Sequence, residues 1–129
     1  MIDWGFVIEG DPPSVNASYK IVYQGPRCPA CGKGTARLAK HEAVNTWQDG
    51  AAWIAKSARP TGWSPARRTV IEVEWYTTRR HDSDNGLKSL SDAIAHGLGC
   101  DDAGFLMRVL VNEQDKSSPR TVVRIWNDG

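Results

Sequence analysis

The sequence lacks the features that would tie it to a membrane or to an oxidising compartment. No apolar run approaches the ~20 residues that a membrane-spanning helix needs, and residues 1–4 show no signal-peptide pattern. Only three cysteines are present, an odd number that argues against a disulfide framework. We therefore expect a soluble cytoplasmic protein, and 129 residues suit a single domain over 1–129.

Net charge is also low, at +1, but it is unevenly distributed along the chain. Residues 20–80 hold 11 of the 16 Lys and Arg residues and 4 of the 15 Asp and Glu residues, which gives them +7. Residues 1–19 and residues 81–129 each carry −3. An imbalance over so long a stretch favours a polyanion partner, and the alternative is a solvated surface of mixed sign.

Hydrophobic periodicity predicts four strands and two helices. Alternation predicts strands at residues 4–9, 69–77, 105–113 and 121–126. Spacings of three and four predict a helix at 41–58 and a second helix with the stripe Leu87, Leu90, Ser91, Ile94 and Leu98. Pro60 should end the first helix, Gly97 or Gly99 the second, and Asp84 should be the N-cap of the second. The predicted fold is a two-layer α+β domain: a small mixed β-sheet, in the order β-α-β-α-β-β, packed with two helices. The apolar stripe of the first helix is Val44, Trp47, Ala51, Ile54 and Ala58.

Residues 18–40 form a basic segment with few apolar residues, predicted to be a long exposed loop or a loop with a small hairpin. It contains Cys28-Pro29-Ala30-Cys31, half of a zinc knuckle, and three interpretations stay open. Structural Zn²⁺ would need two further ligands, from His41, Cys100 or a partner chain. The pair could also be plain loop thiols. A redox pair is disfavoured, because it would want a preceding strand and a following helix.

Acidic residues crowd into residues 82–102, behind a basic pair and around one lysine. Close carboxylates repel one another unless a cation neutralises them, and Mg²⁺ prefers such oxygen ligands. A metal there could activate water for phosphodiester hydrolysis, with Lys88 placing positive charge against the transition state. Acids at a strand end and at the start of a later strand converge if those strands are neighbours. The alternative is ordinary turn and cap chemistry. The acids are Asp82, Asp84, Asp92, Asp101 and Asp102.

The pattern Asp82-x-Asp84-Asn85-x-x-Lys88-x-x-x-Asp92, followed by Asp101-Asp102, resembles the signature of RusA-type Holliday junction resolvases. Pro12-Pro13-Ser14-x-Asn16 after the first strand resembles it too, and the blocks cover most of residues 6–126. The resemblance implies a homodimeric, Mg²⁺-dependent endonuclease of DNA recombination and repair, in which Mn²⁺ can substitute. It nicks two opposed strands of a four-way junction.

Carried over by position, the resemblance gives Asp82, Asp84 and Asp102 as metal-binding and catalytic acids and Lys88 as the catalytic lysine. Asp101 is a secondary metal candidate beside Asp102. The basic segment corresponds to the family's junction-facing loop, and the pair Cys28 and Cys31 departs from the family pattern. The expected DNA-binding residues are Asn16, Lys20, Arg27, Lys33, Arg37, Arg79 and Arg80. The alternative function is a DNA-binding module without catalysis, built on the basic segment and a zinc knuckle.

Overall fold

A computed structural model describes residues 3–13, 19–24, 30, 34–40, 42–80 and 86–128, with the backbone alone for 19–24 and 35–40. In these ranges the chain forms six strands and two helices, with a 3-10 turn at Asp102–Gly104 ahead of the fifth strand. The elements are β1 (Asp3–Glu9), β2 (Tyr19–Gln24), β3 (Thr35–Lys40), α1 (Glu42–Ala58), β4 (Thr69–Thr77), α2 (Leu87–Leu98), β5 (Phe105–Gln114) and β6 (Arg120–Asn127).

Four of the strands form one mixed sheet in the order β1-β6-β4-β5. β6 is antiparallel to both of its neighbours, and β4 is parallel to β5, as expected for two strands joined through a helix. β2 and β3 pair with each other as a separate antiparallel hairpin, so the basic segment contains the small hairpin. The predicted α+β class with a mixed sheet and two helices is confirmed.

The core lies between one face of this sheet and the two helices. In β1 every second residue is buried, namely Trp4, Phe6 and Ile8, as the alternation predicts. Central strand β4 places Ile71, Val73 and Trp75 on the same side, all fully buried. Every described helix is too short or too polar to span a membrane.

The buried stripe of α1 differs from the predicted one. Val44 and Ala51 are buried as expected, but Gln48, Ala52 and Ala55 are buried too, while Trp47, Ile54 and Ala58 pack only at the margin of the core. The cause is α2, which lies directly against α1. Gln48 Nε2 donates a hydrogen bond to the Ser89 carbonyl at 3.0 Å, so a polar residue occupies a buried position.

The two helices are in close backbone contact at Gly97. A Cβ at this position would overlap the Ala52 carbonyl oxygen and lie 3.0 Å from its carbonyl carbon. Only a residue without a side chain allows this backbone approach. Gly97 therefore fixes the separation of α1 and α2, and with it the shape of the groove between them.

Candidate active site

The site is built on the first turns of α2, whose start differs from the predicted one. The N-cap is Gly86, in the left-handed region at φ 91° and ψ −8°, and among the described residues no side chain makes a capping hydrogen bond. The prediction that Asp84 is the N-cap is therefore wrong. Glycine suits this position because other residues are strained at positive φ, and a Cβ would lie 3.5 Å from the ring of Trp75 and 3.7 Å from Pro12.

Two residues after the cap, Lys88 reaches two carboxylates at once. Its Nζ lies 3.0 Å from Asp92 Oδ1, one helical turn along α2, and 3.4 Å from Asp102 Oδ2. The lysine side chain is 76% exposed, so the ammonium remains open to a solvent-borne partner. The hydrogen bond from Lys88 to Asp92, with the charges of both acids, raises the pKa of Lys88. The ammonium is therefore protonated throughout the neutral range.

Ser91 anchors Asp102 against α2. Its hydroxyl donates a hydrogen bond to Asp102 Oδ2 at 3.1 Å, the oxygen that also faces Lys88. The Ser91 hydrogen bond lowers the pKa of the Asp102 carboxyl, against the opposing effect of partial burial, and Lys88 lowers it further. Asp102 is thus a carboxylate at neutral pH, held in place through one oxygen.

Asp101 has a local structural contact. Its Oδ1 accepts a hydrogen bond from the Ala103 backbone N–H at 3.1 Å, which caps the 3-10 turn that carries Asp102. Gly104 ends this turn and lies against the loop before β4, since a Cβ at Gly104 would lie 2.6 Å from the Arg67 carbonyl oxygen. The paired acids therefore have different surroundings: Asp102 faces Lys88, and Asp101 shapes the turn.

Asp102 does not reach Lys88 because two neighbouring strands bring these residues together. β4 and β5 are neighbours, but they are parallel, and Phe105 pairs with Thr69 at the beginning of β4. The start of β5 and the end of β4 thus lie at opposite ends of the pairing, roughly 26 Å apart at 3.3 Å per residue. The contact instead comes from the first two turns of α2, where Lys88 and Ser91 meet Asp102 of the 3-10 turn.

Ser91 is a site residue that the sequence did not reveal. It falls on the apolar stripe of α2, among Leu87, Leu90 and Ile94, and it is 7% exposed. Its pattern is that of a core position. The sequence feature that could have indicated Ser91 is a small hydroxyl side chain three positions after Lys88, on a helix face otherwise filled by apolar side chains.

The predicted DNA-binding residues are only partly within the described ranges. Arg79 and Arg80 are exposed just beyond the end of β4, where the Thr77 hydroxyl donates to the Arg79 carbonyl at 2.6 Å. Lys20 lies in β2 and Arg37 in β3. Outside the described ranges lie Asp82, Asp84, Asn85, Asn16, Arg27, Lys33, Cys28 and Cys31.

Within the described ranges, no three His, Cys, Asp or Glu side chains form a group that could hold a metal. Two of the three principal predicted ligands lie outside these ranges, so the metal site and the zinc knuckle both stay predictions. Cys100, a candidate zinc ligand, is half-buried with a free thiol. Burial raises the pKa of that thiol, and Asp101 and Asp102 raise it further.

Comparison with known families adds an independent observation. The family model described as Endodeoxyribonuclease RusA matches residues 24–126, a stretch that runs from the end of β2 into β6 and includes the Lys88–Asp102 contact. No curated protein matches the chain. Nucleases of this kind generally use a divalent metal. Because the matched region covers most of the sequence, the chain belongs to the RusA family of endodeoxyribonucleases, the Holliday junction resolvases.

Proposed function

We propose that this protein is a Mg²⁺-dependent endonuclease that resolves four-way DNA junctions by paired nicks in opposed strands, in recombination and repair. The observation that carries the proposal is the contact of Lys88 Nζ with Asp102 Oδ2 at 3.4 Å. These residues are fourteen positions apart, and both belong to the motif on which the resemblance rests.

The proposed metal ligands are Asp82, Asp84 and Asp102. Asp102 fits a hard divalent cation: it is ionised at neutral pH, and its contacts with Ser91 and Lys88 both use Oδ2. Positions 84 and 82 come three and five residues before α2 begins at Leu87, so the chain keeps them within roughly 10 Å and 17 Å of the α2 N-terminus. A bound Mg²⁺ would lower the pKa of a water molecule and neutralise charge on phosphate oxygens.

Lys88 supplies a fixed positive charge for the phosphate that is cleaved. Its ammonium is exposed and protonated, and Asp92 on one side and Asp102 on the other limit its motion. Such a charge is worth most where negative charge develops in the transition state. Ser91 is a positioning residue, because it acts on the reaction only through the orientation and ionisation of Asp102.

Cationic segments beside the site would hold the DNA. Arg79 and Arg80 are exposed at the end of β4, directly before the acidic motif. The β2–β3 hairpin contributes Lys20 and Arg37, and the adjoining residues Asn16, Arg27 and Lys33 complete the proposed DNA-binding set. Contacts of this kind with phosphates position a duplex without reading its sequence, which suits an enzyme that recognises DNA shape.

Two opposed nicks need two active sites, and a twofold homodimer is the usual way to provide them. The sheet face opposite the helices supports this arrangement. It carries Val7 and Leu106, each 47% exposed, while Leu110 at the bulge of edge strand β5 is 55% exposed. Val7 lies on edge strand β1, whereas Leu106 and Leu110 lie on the opposite edge strand β5. Exposed large apolar side chains close together are typical of interaction surfaces, and we propose that the β5 edge forms the dimer contact.

The test is Asp82→Asn in a cleavage assay on a synthetic four-way junction with Mg²⁺. We expect cleavage to be lost while binding is unchanged or tighter, because a negative charge near the phosphates is removed. The control is Asp128→Asn, an exposed carboxylate that pairs with Arg68 and should leave cleavage intact. Cleavage by Asp82→Asn at the wild-type rate would contradict the proposal, and binding without nicking by the wild type would favour a non-catalytic module.

A further inference from the structure

A groove between α1 and α2 leads away from the candidate active site. Near the site it is lined by Asn45, Gln48 and Asp49 of α1 and by Asp92 and His96 of α2. Farther along it widens to a cavity of about 490 Å³, whose lining includes Trp53, Lys56, Arg59 and the stretch from His96 to Gly99. Asp49 and His96 line both parts, so the groove is continuous.

The wide end of the groove combines an exposed aromatic ring with cations. Trp53 is 68% exposed, whereas Trp4, Trp63 and Trp75 are buried in the core. Two cations line this part of the groove: Lys56 in the last turn of α1 and Arg59 directly after that helix. Both are exposed, and neither forms an ion pair with any residue that the structure describes. Trp53 is therefore not held in place by the core, and the charges beside it are not satisfied within the described fold.

The narrow end of the groove adjoins Lys88, the catalytic lysine of the proposed function, through Asp92. Asp92 lines its narrow end and is ion-paired with Lys88 at 3.0 Å. From Lys88 to Gly97, which lies against Ala52 beside Trp53, helix α2 rises about 14 Å at 1.5 Å per residue. Stacked DNA rises 3.4 Å per nucleotide along one strand, so a strand in the groove would pass Trp53 roughly four nucleotides from the phosphate at Lys88.

The chemistry of the groove favours an unpaired strand over a duplex. Unpaired bases present their faces to aromatic side chains while basic residues follow the backbone, and a base inside a duplex has no free face to offer. Asp49 lies one helical turn before Trp53 and would repel a phosphate in the middle of the groove. A strand would therefore turn its bases toward Trp53 and its phosphates toward Lys56 and Arg59.

We propose that the α1–α2 groove binds an unpaired DNA strand, with a base stacked on Trp53 and phosphates held by Lys56 and Arg59. This subsite extends the proposed junction nuclease to branched DNA with a single-stranded portion near the cleaved bond. The inference rests on the proposed function for its link to cleavage, while strand binding itself can be measured without any cleavage.

The test compares two junctions, one fully paired and one with a single arm left unpaired, with binding measured in Ca²⁺ and cleavage in Mg²⁺. Trp53→Ala should weaken binding of the junction with the unpaired arm about 5- to 150-fold and leave the fully paired junction within about twofold. Trp53→Phe should restore most of the loss, because it keeps an aromatic face. Since Trp53 is exposed, neither substitution removes core packing.

The cations are tested through salt dependence. Lys56→Ala with Arg59→Ala should reduce the slope of log K against log salt by about 1.4 on a single-stranded oligonucleotide, at about 0.7 per phosphate contact. Lys116→Ala, an exposed lysine in the β5–β6 connection outside the groove, is the control and should leave the slope unchanged. The inference would be overturned if Lys116→Ala reduced the salt slope as much as the double variant does. It would also be overturned if Trp53→Ala weakened binding of both junctions equally.

The two proposals fail separately. If the wild type cleaves neither junction but binds a ten-nucleotide oligothymidylate in a way that Trp53→Ala abolishes, the groove is supported and the nuclease is not. If the wild type cleaves both junctions and Trp53→Ala changes neither binding nor cleavage, the nuclease stands and the groove proposal is overturned.

Discussion

Gly97 offers a quantitative test of how α1 and α2 are held together. Replacing it by alanine would place a methyl group 3.0 Å from the carbonyl carbon of Ala52 and in overlap with its oxygen. Carbon atoms pack best at about 3.5–4.0 Å, so the helices must separate by roughly 0.5–1 Å. The atoms that resist are backbone, which cannot rotate away as a side chain could.

The matched control is Gly50→Ala on the facing helix. Gly50 lies inside α1, and nothing lies within 4 Å of a Cβ built there. Both substitutions gain up to about 1 kcal/mol of helix propensity, but only Gly97→Ala crowds the interface. Overpacking of this kind costs about 1–3 kcal/mol. The difference between the two variants cancels the propensity and isolates the crowding.

The measurement is urea unfolding of both variants and the wild type, followed by far-UV circular dichroism. We expect Gly50→Ala to be slightly more stable than the wild type, and Gly97→Ala to be about 1–3 kcal/mol less stable than Gly50→Ala. If Gly97→Ala equals or exceeds Gly50→Ala in free energy of unfolding, the close approach of α1 and α2 does not exist as described.

Further predictions concern the site and the open sheet face. Ser91→Ala should raise the pKa of Asp102 toward its ordinary value, measured by NMR titration of the carboxyl, whereas Ser89→Ala on the same helix should leave it unchanged. Because folding depresses the Asp102 pKa, its carboxylate stabilises the fold above the unfolded-state pKa, and this is lost as pH falls through the folded-state pKa. Ser91→Ala should therefore have a lower free energy of unfolding than the wild type at pH 7, and this difference should disappear in strong acid. Leu110→Lys should convert the proposed dimer to a monomer in sedimentation equilibrium, while Trp53→Lys, which places a charge on the helix layer instead, should not. A dimer that survives Leu110→Lys would count against the β5 edge as the contact.

The sequence was sufficient for the elements of the core because their periodicity is set by local geometry. β4 was predicted at residues 69–77 and is found at Thr69–Thr77. The stripe predicted for the second helix, from Leu87 to Leu98, lies within α2 at Leu87–Leu98. The cap of α2 was not predictable in the same way. Asp84 has good capping chemistry, but the turn needs positive φ, which glycine adopts without strain.

In the candidate site, too, the sequence predicts the local contacts but not the long-range ones. The i, i+4 pairing of Lys88 with Asp92 follows from helix geometry and is present at 3.0 Å. The contact of Ser91 with Asp102 depends on how the 3-10 turn packs against α2, and no local pattern encodes that packing. Position on the apolar stripe therefore marked Ser91 as core, although its hydroxyl anchors a predicted metal ligand.

The most direct test of the proposed function is cleavage of a synthetic four-way junction by the wild-type protein with and without Mg²⁺. Matched linear duplex of the same sequence serves as the control substrate. We predict paired nicks in two opposed strands of the junction with Mg²⁺, no nicks when the metal is chelated, and an uncut duplex. Tight binding of the junction without nicking at any Mg²⁺ or Mn²⁺ concentration would contradict a catalytic role for Lys88 and Asp102.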